Sequence, residues 1–202
     1  MEYSEIARQL CSTCHLFGGR RWCLATSGNF SARVDHEQFL ISQSGREKSE
    51  LGPDDLMLCK LSGVATQPEQ IPSAETPLHA CLYRLDKNIG AVLHTHSVPA
   101  TVLSREAGAC VEITGYEMQK ALTGVSSHEA TVAVPVFDND QDMEAMAIRV
   151  TNAWHEGRIL VPGLLIRGHG LYAWGADIAT ARRHTEGFEF LFECMLNEGK
   201  RR

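Results

Sequence analysis

The sequence predicts a layered α/β domain with a mixed, largely antiparallel central sheet, and three observations lead there. Helix-like and strand-like segments intermix along all 202 residues, with no repeat, low-complexity tract or linker between them. Several strand-like segments follow one another without a helix between, which argues against a doubly wound parallel sheet. Hydrophobic residues make up 44% of the chain and charged residues 22%, an ordinary globular balance at a length that allows one sizeable core. Residues 1–202 are therefore read as a single domain.

The elements follow from periodicity and punctuation. Ile6, Leu10, Cys14 and Phe17 recur at helical spacing, so residues 4–17 form a helix with Ser4 as N-cap and Gly18-Gly19 as the stop. Phe39–Ser42 and Leu56–Leu61 read as strands. Thr76 caps a helix of about ten residues whose first position suits Pro77 and whose apolar face is Leu78, Cys81, Leu82 and Leu85. Ala91–Leu93 is an apolar strand leading into His94-Thr95-His96, followed by a short helix over Pro99–Arg105. Cys110–Thr114 is a strand, and Gly115–Lys120 opens a turn or helix. Thr131–Phe137 alternates as a strand, and Asp140–Glu156 is a helix through Met143, Ala147, Val150 and Trp154. Leu164–Trp174 gives two strand pieces around His169. Asp177–Asn197 closes the chain as a helix that faces Ile178, Ala181, Phe188, Leu191 and Met195 inward.

Composition removes some functions. The net charge of −6 argues against a nucleic-acid surface, while leaving room for a small anionic substrate held by local basic groups. No stretch approaches the ~18 to 20 apolar residues of a membrane span. The N-terminus, Met1-Glu2-Tyr3-Ser4-Glu5, has no signal-peptide pattern, so the expected location is cytoplasmic. Seven scattered cysteines point to reduced thiols. Cys11-Ser12-Thr13-Cys14-His15 matches the c-type haem attachment pattern, but that chemistry needs export, and the stretch fits the amphipathic helix better.

The chemistry concentrates in a few short motifs. Side chains alternate faces along a strand, so His94 and His96 point to one side, roughly 7 Å apart by two residues of rise. His169, between Gly168 and Gly170 and after the apolar run Leu164-Leu165-Ile166, offers a third imidazole. Three histidines with one position open form the pattern of a catalytic metal site. His15, His36, His79, His128, His155 and His184 are read as surface or satisfied core groups. Ala25–Ser31, with Gly28 and Asn29, is a small polar turn able to present backbone N–H groups to an anion. Ser44-Gly45 followed by Lys48 repeats that chemistry with a cation. Ser73 and Glu75 stand at a helix start, where negative charge is favoured; Glu75 on that ground alone is no more than a charge at the dipole. Glu117, without further context, is a solvated first-turn glutamate.

Taken together and in order, Thr26–Asn29, Ser44-Gly45, Pro72–Glu75, His94-Thr95-His96 and Gly168-His169-Gly170 resemble the class II aldolase/adducin family over nearly the whole chain. The form His94-Thr95-His96-Ser97, the stretch Tyr116–Lys120 and the ending Arg167–Gly175 look most like its methionine-salvage dehydratases, which act on a methylthio-substituted ketose 1-phosphate. The resemblance implies an α/β/α fold, one Zn2+ per chain on His94, His96 and His169, and a homotetramer with sites near subunit interfaces. It implies a phosphate site at Gly28, Asn29, Ser44, Gly45 and Ser73, with Lys48 as charge partner. Where aldolase relatives carry a second serine, this chain has Ala74. The acid/base is implied at Glu117, with Glu75 as the runner-up. An aldolase or epimerase acting on another ketose phosphate, and a non-catalytic adducin-like interaction domain, are the alternatives.

Overall fold

The computed structural model describes residues 3–199; Met1 and Glu2 of the acidic N-terminus lie outside the described residues. Eight strands form one sheet: β1 (Asn29–Arg33), β2 (Gln38–Ser42), β3 (Leu56–Lys60), β4 (Ala91–Thr95), β5 (Cys110–Ile113), β6 (Val132–Phe137), β7 (Gly163–Ile166) and β8 (Gly170–Gly175). Their order is β3-β2-β1-β4-β8-β7-β6-β5. Every neighbouring pair is antiparallel except β6 and β7. The helices are α1 (Tyr3–Gly19), α2 (Thr76–Leu85), α3 (Val98–Glu106), α4 (Met143–His155) and α5 (Ile178–Gly199). Among the described residues no helix is long and apolar enough to cross a membrane.

The period of two along each strand divides the core into layers. Phe39, Ile41, Val92, Leu164, Ile166, Tyr172 and Trp174 pack with α2 and α4 on one face. On the opposite face Leu40, Ala91 and Leu93 meet α1, while Leu165, Leu171 and Ala173 meet α3 and α5. The arrangement is the expected α/β/α sandwich with a mixed, mostly antiparallel sheet. Cys11 and Cys14 sit inside the α1 core.

The helix starts differ from the sequence reading, by one residue at α3 and α5 and as follows at the other three. Ser4 lies within the first turn of α1 rather than capping it, because the helix already includes Tyr3. Glu75, not Thr76, is the N-cap of α2, and its side chain makes no capping bond. The backbone turns there through Thr76 N donating to Ser73 O and Leu78 N to Glu75 O, which leaves the Glu75 carboxylate free to reach elsewhere. Helix α4 starts three residues later than Asp140, because the Asp142 carboxylate accepts from Glu144 N and Ala145 N and stops the helix there.

Candidate metal centre and substrate cleft

Strand β4 runs up the centre of the sheet, so His94 at its end is fully buried, on the same face as Val92. Its Nδ1 faces Leu171 O at 2.9 Å, and a carbonyl only accepts, so Nδ1 carries the proton and Nε2 presents a lone pair. The ring is stacked flat on Tyr172, centroids 3.9 Å apart. His96 follows just past the strand and is tied by its own N–H to Trp22 O. His169 arrives on the turn between β7 and β8. Gly168 has φ +64° there, and a Cβ on Gly170 would stand 1.9 Å from Thr95 O, so only glycines let this turn close on β4. Helix α3 braces the same turn: Thr101 Oγ1 donates to His169 O, and Gly168 N donates to Ser104 Oγ.

The three Nε2 atoms converge. They lie 2.8 Å apart for His94–His96, 3.1 Å for His96–His169 and 3.3 Å for His94–His169. Glu75 completes the group, with oxygens 3.0 Å from His169 Nε2 and 3.4 Å from His94 Nε2. One donor atom from each of the four side chains falls within 4.8 Å of all the others. Asn139 Oδ1 stands 3.4 Å from His169 Nδ1, which favours a proton on that nitrogen and again a lone pair at Nε2. Lone pairs aimed at one point repel unless a cation lies between them. Nitrogens about 3.3 Å apart are what a tetrahedral ion with ~2.0–2.1 Å bonds requires. The donor set therefore fits a divalent metal. Burial pushes the Glu75 carboxyl up; without a metal, protons shared with His94 and His169 take the cation's place, outweigh that and hold the carboxyl well below its ordinary range. Burial, followed by His94, brings the His96 pKa down to about 3, which keeps that imidazole neutral and available as a ligand.

A polar chain runs from Glu75 into the core. Asn29 Nδ2 donates to Glu75 Oε2, and Asn29 Oδ1 faces His79 Nε2 at 2.5 Å. His79 Nδ1 lies 2.7 Å from Ser31 Oγ, which lies 2.8 Å from the Tyr83 hydroxyl. The direction of every bond follows from the first. The ionised carboxylate requires the amide nitrogen, so the amide oxygen faces His79 and His79 must carry its proton on Nε2. Nδ1 then accepts from Ser31, and Tyr83 donates to Ser31. Burial, then His94, brings the His79 pKa down to about 3, in keeping with the neutral ring. Glu75, His79 and Tyr83 share one face of the α2 start by their four-residue spacing.

Asn29, Glu75, His96 and His169 line a cleft of about 280 Å³, with His94 and the His79 chain buried behind them. All six residues expected to bind phosphate, Gly28, Asn29, Ser44, Gly45, Lys48 and Ser73, line that cleft with Glu75, His96 and His169. The 25–28 turn is bent back on itself, with φ of +54° at Ala25, +62° at Thr26 and +74° at Gly28. Lys48 lies underneath, 1% exposed, its Nζ donating to Thr26 O at 2.9 Å and Arg46 O at 2.7 Å. Burial lowers its pKa, against an opposing pull from Glu47 and Glu75. Its ammonium thus ties the two polar loops together and leaves one N–H beneath them. Asn29 has a second role the sequence did not reveal: one amide hydrogen and the amide oxygen serve Glu75 and His79.

Glu117 stands apart. It opens a 3-10 turn over Glu117–Ala121 after β5, is 71% exposed, pairs with Lys120 and His128, and is not among the residues lining the cleft. His79, read from sequence as an ordinary core or surface histidine, is the residue the sequence analysis undervalued. Its signal was its position four residues after Glu75 on one helix face.

The sequence pattern of the class II aldolase and adducin N-terminal domain matches residues 8–196. The chain belongs to that family. Within it, the chain is 52% identical over 188 residues to a methylthioribulose-1-phosphate dehydratase of Pectobacterium carotovorum, covering 93% of this chain and 91% of that one. It is 50% identical over 193 residues to the methylthioribulose-1-phosphate dehydratase of Pseudomonas aeruginosa, covering 95% and 94%. Among solved structures, the L-fuculose-1-phosphate aldolase of Thermus thermophilus superposes with a TM-score of 0.77 at 26% identity, over 96% of this chain and 94% of that one. The class II aldolase fold thus supplies the central strand, the two flanking loops and the β7–β8 turn that assemble this cleft.

Proposed function

We propose that this chain is a zinc-dependent methylthioribulose-1-phosphate dehydratase, a carbon–oxygen lyase of methionine salvage whose residues 1–202 form one catalytic domain. The observation that carries the reading is the convergence of three imidazoles and Glu75 at a cleft that is also lined by a polar, glycine-containing cradle and a buried lysine. Identity near 50% to dehydratases over almost the full length supports this reaction over carbon–carbon cleavage. The seven unpaired cysteines suit a reducing, cytoplasmic setting.

In this reading the substrate phosphate sits against Gly28, Ser44, Gly45 and Ser73, with the Lys48 charge beneath. That seat orients the sugar so that its C2 carbonyl and C3 hydroxyl face His94, His96 and His169. A zinc ion held there supplies Lewis acidity toward those oxygens. One carboxylate takes the C3 proton, and the C4 hydroxyl departs with a proton as water, leaving the 2,3-diketo phosphate after ketonisation. General acid–base help of this kind contributes typically ~10²- to 10⁴-fold. Glu75 is held ionised beside the histidines and fits a metal ligand or a proton acceptor. Glu117, exposed and outside its own cleft, fits a carboxylate delivered to a neighbouring copy's cleft in a homotetramer with sites near subunit interfaces.

The test is purified protein with methylthioribulose 1-phosphate, following the diketone and looking separately for carbon–carbon cleavage fragments. Diketone formation is expected, with Glu117→Gln keeping substrate binding and losing most of kcat. Fragments without diketone overturn the dehydratase reading in favour of an aldolase. Undiminished dehydration by Glu117→Gln assigns the proton transfer to Glu75.

A further inference from the structure

The strand that carries the histidines is held from behind by a carboxylate. Thr95 alternates with His94 and His96, so it points to the opposite face of the sheet, toward α5. There Glu189, 2% exposed, accepts from Thr95 Oγ1 at 2.5 Å through one oxygen and from Ser97 Oγ through the other. Ser97 Oγ also accepts from Ala100 N at 3.1 Å as the N-cap of α3. One carboxylate therefore grips the residue before His96 and the residue after it.

Nothing else accounts for an ionisable group at that place. No cation pairs with Glu189 among the described residues, and the charged side chain that acts on it, Glu193, has the same sign. Its neighbours on α5, Phe188, Leu191 and Phe192, already bury apolar surface against the sheet. An apolar side chain of similar volume would pack without the desolvation cost of a carboxylate. What an apolar side chain cannot do is hold two hydroxyls at fixed points on either side of a ligand.

We propose that Glu189 is a positioning residue for the metal centre: by clamping Thr95 and Ser97 it fixes the backbone of residues 95–97 and aims the His96 imidazole at the point where His94 and His169 converge. This rests on the reading that the three histidines hold a metal. It also gives the alternation His94-Thr95-His96-Ser97 a physical sense, with ligands on one face and their anchors on the other.

The experiment is zinc titration of the chelated full-length protein against a chromophoric competitor, alongside thermal unfolding of the metal-free form. Glu189→Leu is expected to weaken zinc binding about tenfold or more, the range of losses when groups that orient metal ligands are removed, with no fall in the metal-free melting temperature. Glu189→Gln, which keeps one acceptor oxygen, is expected to fall between, and adding Thr95→Val to Glu189→Leu to cost nothing further. Thr95→Val alone, nearly isosteric, keeps the test available if Glu189→Leu does not fold: it too should weaken zinc binding. Wild-type zinc affinity in folded Glu189→Gln and Thr95→Val overturns the proposal. A wild-type protein that binds no zinc overturns the metal reading itself, so the two failures are distinct.

Discussion

Glu189→Gln should make the metal-free protein more resistant to rising pH, by an amount set by where Glu189 lies. Burial raises the pKa of this carboxyl from its ordinary 4.5 to about 7, against the opposing bonds from Ser97 and Thr95. Below pH 4.5 the group is protonated in both the folded and unfolded chains. Between 4.5 and 7 the unfolded chain releases the proton and the folded chain keeps it, so stability falls as pH rises. At ~1.4 kcal/mol per pH unit, the full loss above pH 7 is on the order of 3 kcal/mol. Glutamine has nearly the same shape and no charge to lose. His79, His96 and His184, all held neutral by burial, make stability rise with pH instead, but they are common to both proteins and cancel in the difference. Glu193, the like charge nearby, cancels as well. The assay is urea unfolding of both proteins with chelator present at fixed concentration from pH 4 to pH 8. The stability of the variant relative to wild type should climb by about 3 kcal/mol across that range. A flat difference would refute the placement of an uncompensated carboxylate behind the histidine strand.

Other outcomes follow from the same geometry. His79→Leu leaves Asn29 Oδ1 unpaired in the core and takes one of the partners of Ser31 Oγ, at ~1–3 kcal/mol for the unpaired group; urea unfolding should register that loss, and His79→Gln, with one donor and one acceptor, should recover most of it. Gly170→Ala places a methyl 1.9 Å from Thr95 O, so β4 and β8 must part; hydrogen exchange should quicken along both strands, and zinc binding should fall with it. Lys48→Met keeps the buried stem but removes the charge under the polar loops; steady-state kinetics should show KM for the phosphorylated substrate raised about tenfold or more, from the ~1.5–3 kcal/mol of a charged hydrogen bond, with kcat changed far less.

Much of this architecture is legible without coordinates because each helix buries one face and the central strands bury both. Continuous apolar runs such as Ala91–Leu93 and Leu164–Ile166 and the 3.6-residue stripes of α1 and α5 mark the layers directly. The histidine set is equally legible, since imidazoles two apart on a strand share a face whatever the tertiary context. The helix starts were less so: Thr76 looks like a cap by composition, yet the residue before it takes that place, because the turn through Ser73 and Glu75 is fixed by the site it serves. The groups behind the site were hidden for a different reason. His79 and Glu189 act through bonds to residues 50 and more than 90 positions away in sequence, and nothing local distinguishes them from an ordinary histidine or a helix-surface glutamate. Glu117 illustrates the reverse: its motif stands out, while its side chain lies exposed beside Lys120 and His128 in the single chain.

Dehydration by the protein as zinc is returned to it tests the account most directly. Chelated enzyme, supplied with methylthioribulose 1-phosphate and titrated with zinc, should gain diketone-forming activity linearly and stop at one zinc per chain, while His96→Ala should gain none. Full diketone formation by the exhaustively chelated enzyme, or by His96→Ala, would contradict the assignment of His94, His96 and His169 as the centre of the reaction.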